Sequence, residues 1–214
     1  MAMSPVFDFL FGQYSGYATL DIVMEITGVL FGLMSVWYAK KNNIWVYPTG
    51  IISTSIFVYL LFKSALLGDM IINAYYFIMS AYGWYYWSKR EEQVIVHPIT
   101  STTKKEFETA LLLFVASLLF VFWIYQVFDK WKEWTAYVDT LTTAIFFVGM
   151  GLMARRKIEH WLFWIVGDII SIPLYFYKGL TLTSLQYVIF TIIAIYGYRS
   201  WKKILHKNPP ISSG

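Results

Sequence analysis

The 214-residue chain contains no cysteine, which removes disulfides, thiolate nucleophiles and cysteine metal sites together and leaves the redox compartment unreadable. Charge is scarce as well: Asp, Glu, Lys and Arg make up 14% of the residues, against about 25% in an average soluble domain. Catalytic signatures are missing. No H-E-x-x-H, G-x-S-x-G or ATP-binding motif occurs, and His97, His160 and His206 lie in or beside connections, where a lone imidazole is ordinarily solvated. An enzyme, a cofactor and a metal centre are therefore not expected. Residues 1–19 hold Asp8 and no Lys or Arg, unlike the basic start of a cleaved signal peptide, and read as a segment that lies on the membrane as a short amphipathic helix.

What is abundant is apolar surface. Hydrophobic residues reach 58%, aromatic residues 21%, and the mean hydropathy is +0.54. A soluble domain of this size has no interior large enough to hide that surplus, whereas a lipid bilayer needs none, and its two interfaces suit Trp and Tyr. The formal charge of +4 then reads as basic loops rather than as a nucleic-acid surface.

Seven stretches approach the ~20 apolar residues that a membrane-crossing helix requires. They lie near Leu20 to Ala39, Ile44 to Phe62, Asp69 to Trp87, Glu108 to Gln126, Tyr137 to Ala154, His160 to Tyr177 and Leu182 to Ser200. One long polar connection, Ser88 to Phe107, separates the third from the fourth. Seven crossings put the ends of the chain on opposite sides. Of the 17 basic residues, only Lys63, Lys130, Lys132 and Lys178 then fall on the side of the N-terminus. By the positive-inside rule the C-terminus is cytoplasmic and the N-terminus periplasmic.

The third stretch ends Ala81-Tyr-Gly-Trp-Tyr-Tyr-Trp-Ser-Lys89 and the seventh Ile195-Tyr-Gly-Tyr-Arg-Ser-Trp-Lys-Lys203. Upstream, Asp21 pairs with Asp139, Gly32-Leu33-Met34 with Gly151-Leu152-Met153, Trp45 with Trp161, Gly50 with Gly167 and Lys63 with Lys178. The expected fold is all-α: two parallel three-helix repeats, residues 20–87 and 137–200, joined by a linker helix, residues 108–126, that lets both copies enter from the same side. The connection 88–107 and the tail 201–214 are expected on the cytoplasmic side. Duplication of this kind is the architecture of transporters that hold substrate near the midplane, although it also simply builds a bundle.

Ionisable residues inside a span are costly and read as functional candidates. Asp168 sits eight residues into the sixth span, about 12 Å deep at 1.5 Å per residue. Trp161 and Trp164 share its helical face at i, i+3 and i+7. Two indoles and a carboxylate suit a flat cationic ring by stacking and cation–π attraction; Trp161 taken alone reads rather as an interfacial belt residue, and Trp164, one turn deeper, as a site residue. Glu25, about one turn into the first span, reads as a site residue or as a solvated carboxylate. Asn73 and Gln186 read as ligand contacts or as interhelical hydrogen bonds, and Tyr187, Tyr76 and Trp84 rank behind them.

With Trp161-x-x-Trp164-x-x-x-Asp168, the Tyr-Gly-x-x-x-Trp endings and the run Trp45-Val-Tyr-Pro-Thr-Gly-Ile-Ile52, the chain resembles the PnuC family of bacterial nicotinamide riboside transporters from about Asp21 to Lys203. That family has a three-plus-one-plus-three arrangement like the SWEET sugar transporters. The resemblance implies facilitated diffusion of a vitamin precursor across the inner membrane, trapping by a cytoplasmic kinase, and a homo-oligomer, with a trimer the form in view. It implies that Trp161, Trp164 and Asp168 bind substrate, with Asn73, Gln186, Tyr187 and Glu25 as further candidates. The family's usual motif ends in Asn, so Asp168 departs from it, and thiamine, carried by related members, is the alternative substrate. A retinal protein is excluded because the seventh span contains no lysine.

Overall fold

The computed structural model describes residues 18–63, 67–91, 94–95, 97–129, 131, 133–178 and 181–207. The expected surface helix in residues 1–17 and the tail beyond residue 207 lie outside them.

Among the described residues there are seven long helices: α1 (Thr19–Lys40), α2 (Val46–Lys63), α3 (Leu67–Ser88), α4 (Lys104–Val127), α5 (Thr135–Ala154), α6 (His160–Tyr177) and α7 (Thr181–Lys207). Taken singly, α1, α2, α4 and α5 are long and apolar enough to cross a membrane. The other three are of similar length, and their apolarity is diluted by Tyr, Trp and polar residues such as Asn73 and Asp168. Helix α7 runs seven residues beyond the expected end at Ser200. The long connection holds a two-residue antiparallel hairpin, β1 (Arg90–Glu91) with β2 (Val94–Ile95). It ends in a capping box: the Thr103 hydroxyl accepts from the Glu106 N–H, and the Glu106 carboxylate accepts from the Thr103 N–H at 2.9 Å, fixing the start of α4.

Within each repeat the helices pack in order, α1 on α2 on α3 and α5 on α6 on α7. Across the repeats α1 meets α7 and α3 meets α5, which is one contact seen twice under a pseudo-twofold axis; α4 packs on α5. Individual side chains obey the same symmetry. Lys63 pairs with Asp21 at 2.6 Å on one repeat and Lys178 with Asp139 on the other. The Trp87 indole donates to the Ala154 carbonyl at 3.2 Å, and the Trp201 indole donates to the Ala39 carbonyl at 2.8 Å. The turns joining the first and second helices of each repeat hold left-handed residues 114 positions apart, Asn42 with φ 51° and Arg156 with φ 55°. Asn tolerates that region readily. For Arg156 the backbone cost is offset by its partners: its guanidinium donates to the His97 carbonyl at 2.8 Å and lies 4.2 Å from the Trp87 ring centre. Burial pulls the Arg156 pKa down to about 10, opposed by the Tyr47 phenol.

Two sequence readings shift. Gly83 faces the Tyr47 ring and Gly197 faces the Trp161 ring, both at places where an added Cβ would collide. Tyr47 is therefore the counterpart of Trp161, and Trp45, matched to it by letter, is 57% exposed. His160 is fully buried rather than solvated: its ring Nδ1 donates to the Lys157 carbonyl at 2.6 Å, and it lies between Trp161 and Trp201.

Candidate functional site

All six repeat helices face a central cavity of about 240 Å³. One wall is aromatic and acidic. Helix α6 contributes Trp161, Trp164 and Asp168, set on one face by their spacing; α5 contributes Phe146, Met150 and Met153, and α7 contributes Tyr187, Phe190 and Ala194. The opposite wall is small and hydroxylated, with Gly32 and Ser35 from α1, Gly50, Ser53 and Thr54 from α2, and Tyr76 and Ser80 from α3. The pseudo-symmetry accounts for the contrast. At the interval of 114 set by Gly83 and Gly197, Gly50 stands opposite Trp164 rather than Gly167, its match by letter, and Thr54 stands opposite Asp168. Large on one side and small on the other leaves an off-centre space, shaped for a ligand with a flat half.

The aromatic wall is held rigidly. Trp164 stacks on Phe146 at 5.4 Å between ring centres, and Phe146 lies parallel to Tyr187 at 6.0 Å with 7° between planes. Gly167 lets Phe146 approach: an added Cβ would come within 2.3 Å of its ring. At the basic end the lining merges with a buried cluster that includes Tyr47, Trp87, Trp161 and Trp201, each 3% exposed or less.

The polar groups on the walls fall into two kinds. Ser35, Ser53 and Thr54 donate to helix carbonyls, of Val46, Gly28 and Gly50 respectively, at 2.7 to 2.8 Å. They keep only acceptor lone pairs for a ligand. Asp168 differs: it is 2% exposed and, among the described residues, receives no hydrogen bond and forms no ion pair. The Trp161 indole N–H is likewise buried without an acceptor. A buried carboxylate with no partner costs several kcal/mol of lost solvation, and an orphaned indole donor adds a smaller cost. A cationic or hydrogen-bonding ligand would remove both.

Of the nine residues singled out from the sequence, Trp161, Trp164, Asp168, Tyr187 and Tyr76 line this cavity together, and Trp84 does not. Asn73 donates from its side chain to the Asp69 carbonyl at 3.0 Å, within its own helix. Asn73, Gln186 and Glu25 are not among the lining residues. Phe146, Met150, Ser53 and Ser80 line it without having been singled out. The interval of 114 relates further lining residues in pairs, Phe190 to Tyr76 and Ala194 to Ser80.

The sequence profile described as nicotinamide mononucleotide transporter matches residues 22–203. The chain belongs to that family. The family and the fold are those of a multi-pass membrane transporter, which displaces the membrane-enzyme alternative. The nicotinamide riboside transporter PnuC of Escherichia coli (strain K12) is 24% identical, over 83% of this chain and 84% of the relative. The protein of the same name from Haemophilus influenzae is 27% identical over 94% and 88%. The riboflavin/roseoflavin transporter RibM of Streptomyces davaonensis is 23% identical over 83% of each. The crystal structure of the vitamin B3 transporter PnuC superposes with a TM-score of 0.67 at 23% identity, covering 95% of this chain and 91% of the other, and shares its fold.

Proposed function

We propose that this chain carries nicotinamide riboside by facilitated diffusion, binding the pyridinium ring between Trp161, Trp164 and the Asp168 carboxylate. The observation that carries the reading is Asp168: a buried acid with no partner among the described residues, beside two indoles in the more aromatic wall of the cavity. The charge favours a cation over a neutral flavin, although a riboflavin transporter is among the relatives. The hydroxylated wall suits the ribose, whose hydroxyls donate to the lone pairs of Ser35, Ser53 and Thr54. Thiamine, whose thiazolium is also a flat cation, is the second reading that Asp168 favours.

The two repeats would rock about this midplane site, with no ATP-binding motif to power accumulation. Net uptake then depends on a kinase that phosphorylates the vitamin in the cytoplasm. The distribution of Lys and Arg supports a cytoplasmic C-terminus in a bacterial inner membrane, and family likeness supports a homo-oligomer, with a trimer as the form to test.

The test is a thermal-shift and proteoliposome-uptake comparison of nicotinamide riboside, thiamine, riboflavin and nicotinamide on one purified sample. Nicotinamide riboside should stabilise the protein most and be taken up. Stabilisation by riboflavin with no response to either cation would overturn the reading.

A further inference from the structure

A second cavity, of about 370 Å³, lies between α3, α4 and α5, away from the substrate site. Helices α3 and α4 both pack on α5 and barely on each other. The floor is apolar, made by Leu113 of α4 with Val148, Gly151 and Leu152 of α5. Gly151 has no side chain to fill it; a Cβ there would meet the Leu113 methyl at 3.1 Å and the Tyr75 hydroxyl at 4.0 Å. The mouth at the basic end carries Arg155, Lys157 and Glu106.

These groups differ in what they have left to give. Lys157 is engaged with Glu106 at 2.8 Å, and that carboxylate also accepts from Thr103, so the pair is neutral. Arg155 is exposed and has no ion-pair partner among the described residues. An apolar crevice flanked by lipid-facing helices cannot be filled by water at low cost, because water there would lose its hydrogen bonds. A hydrocarbon chain fills it at none. A free guanidinium at the level where that chain ends selects a phosphate, and it does so on the face proposed above as cytoplasmic, where basic pockets between helices meet anionic headgroups.

We propose that this crevice seats one anionic glycerophospholipid, an acyl chain lying on Gly151 and Leu113 and the phosphate held by Arg155. The lipid would wedge the linker helix against the first repeat, two parts of the bundle that hardly touch each other directly.

The proposal is tested on the full chain in detergent with phosphatidylglycerol, phosphatidylcholine of the same acyl chains, and inorganic phosphate. Thermal shift and native mass spectrometry are read for the native chain, Arg155→Gln, Thr109→Trp at the crevice mouth, and Lys105→Gln as a basic-face control. Phosphatidylglycerol should raise the Tm and remain bound in the native chain and in K105Q. It should be held about tenfold more weakly by R155Q and T109W. An equal shift from phosphatidylcholine or from phosphate alone, or undiminished retention by R155Q, overturns it. So does a T109W that loses subunits while keeping lipid, which would make the crevice a contact between copies of the chain.

Discussion

The Trp201 indole reaches across 162 residues to donate to the Ala39 carbonyl at 2.8 Å, tying the end of the second repeat to the first helix of the first. Trp87 makes the mirror tie to Ala154 at 3.2 Å. The two bonds differ in what their loss exposes. Ala39 also accepts from the Asn42 N–H at 2.9 Å, whereas Trp87 is the described partner of the last carbonyl of α5. Trp201→Phe should therefore cost about 1 kcal/mol, and Trp87→Phe about 1 to 3, since it strands a buried acceptor and weakens the support under Arg156. Thermal denaturation in detergent decides the order, and a larger loss for Trp201→Phe would contradict the assignment.

The glycines beneath the same two rings give a paired test. A methyl at Gly83 would sit 2.3 Å from the Tyr47 ring, and one at Gly197 2.6 Å from the Trp161 ring. Overpacking of this kind costs about 1 to 3 kcal/mol in either place. Only Trp161 reaches the cavity, so Gly197→Ala should also weaken ligand binding severalfold while Gly83→Ala leaves it near native. Calorimetric titration of both variants measures the difference.

The duplicated ion pairs are chemically alike and environmentally unlike. The Lys63 side chain is 50% exposed and that of Lys178 is 24% exposed. Solvent and salt screen the first pair, so Lys63→Met should leave the Tm unchanged, although Asp21 holds the Lys63 pKa above its ordinary value. The aspartates are alike, 17% exposed for Asp21 and 16% for Asp139, so the difference lies in the lysines: Lys178→Met removes the less solvated partner and should cost about 1 kcal/mol. Equal losses in a thermal melt at high salt would refute the distinction.

Glu106 supplies the pH test. Burial alone would raise its carboxyl, but the Lys157 ammonium and the Thr103 donors outweigh burial and hold it below the ordinary 4.5. A depressed carboxyl stabilises the fold above its unfolded pKa and loses that contribution as pH falls through the folded value. Glu106→Gln keeps a capping acceptor and removes only charge. It should cost about 1 kcal/mol at neutral pH, and the gap to the native chain should close as the pH drops below 4.5. A gap constant with pH would mean the charge is not what matters.

The α6 stripe was legible because helical spacing alone puts Trp161, Trp164 and Asp168 on one face, and a carboxylate in lipid has few innocent explanations. The seven helices and their duplication were legible from apolar run length and from pairs such as Asp21 with Asp139. Most of the remaining lining was not. In a bilayer the lipid-facing and cavity-facing sides of a helix are both apolar, so no periodicity marks Phe146, Met150 or Ser80 as inward. Identity of letters also misled: Trp45 matches Trp161 in type, while Tyr47 matches it in place, and only the Gly83 and Gly197 contacts reveal which equivalence is physical. Asn73, Gln186 and Glu25 sit only one to two turns into their helices, and their polarity alone says nothing about which way a side chain faces.

Asp168 is where the substrate reading is most exposed to test. Asp168→Asn removes the charge and keeps an amide of the same shape, so the cavity volume and the stacking of Trp164 on Phe146 persist. A cationic vitamin should then bind about tenfold to a hundredfold more weakly, equivalent to about 1.4 to 2.8 kcal/mol. A neutral aromatic of similar size should bind the native chain and the variant alike, because it gains nothing from the carboxylate. The variant should also be more thermostable without ligand, since an unpaired buried charge is a cost that substrate relieves and its absence does not. Titration of both ligands, with apo melting curves, separates these effects. If cation affinity survives the exchange, the carboxylate does not recognise the substrate, and the aromatic wall alone must.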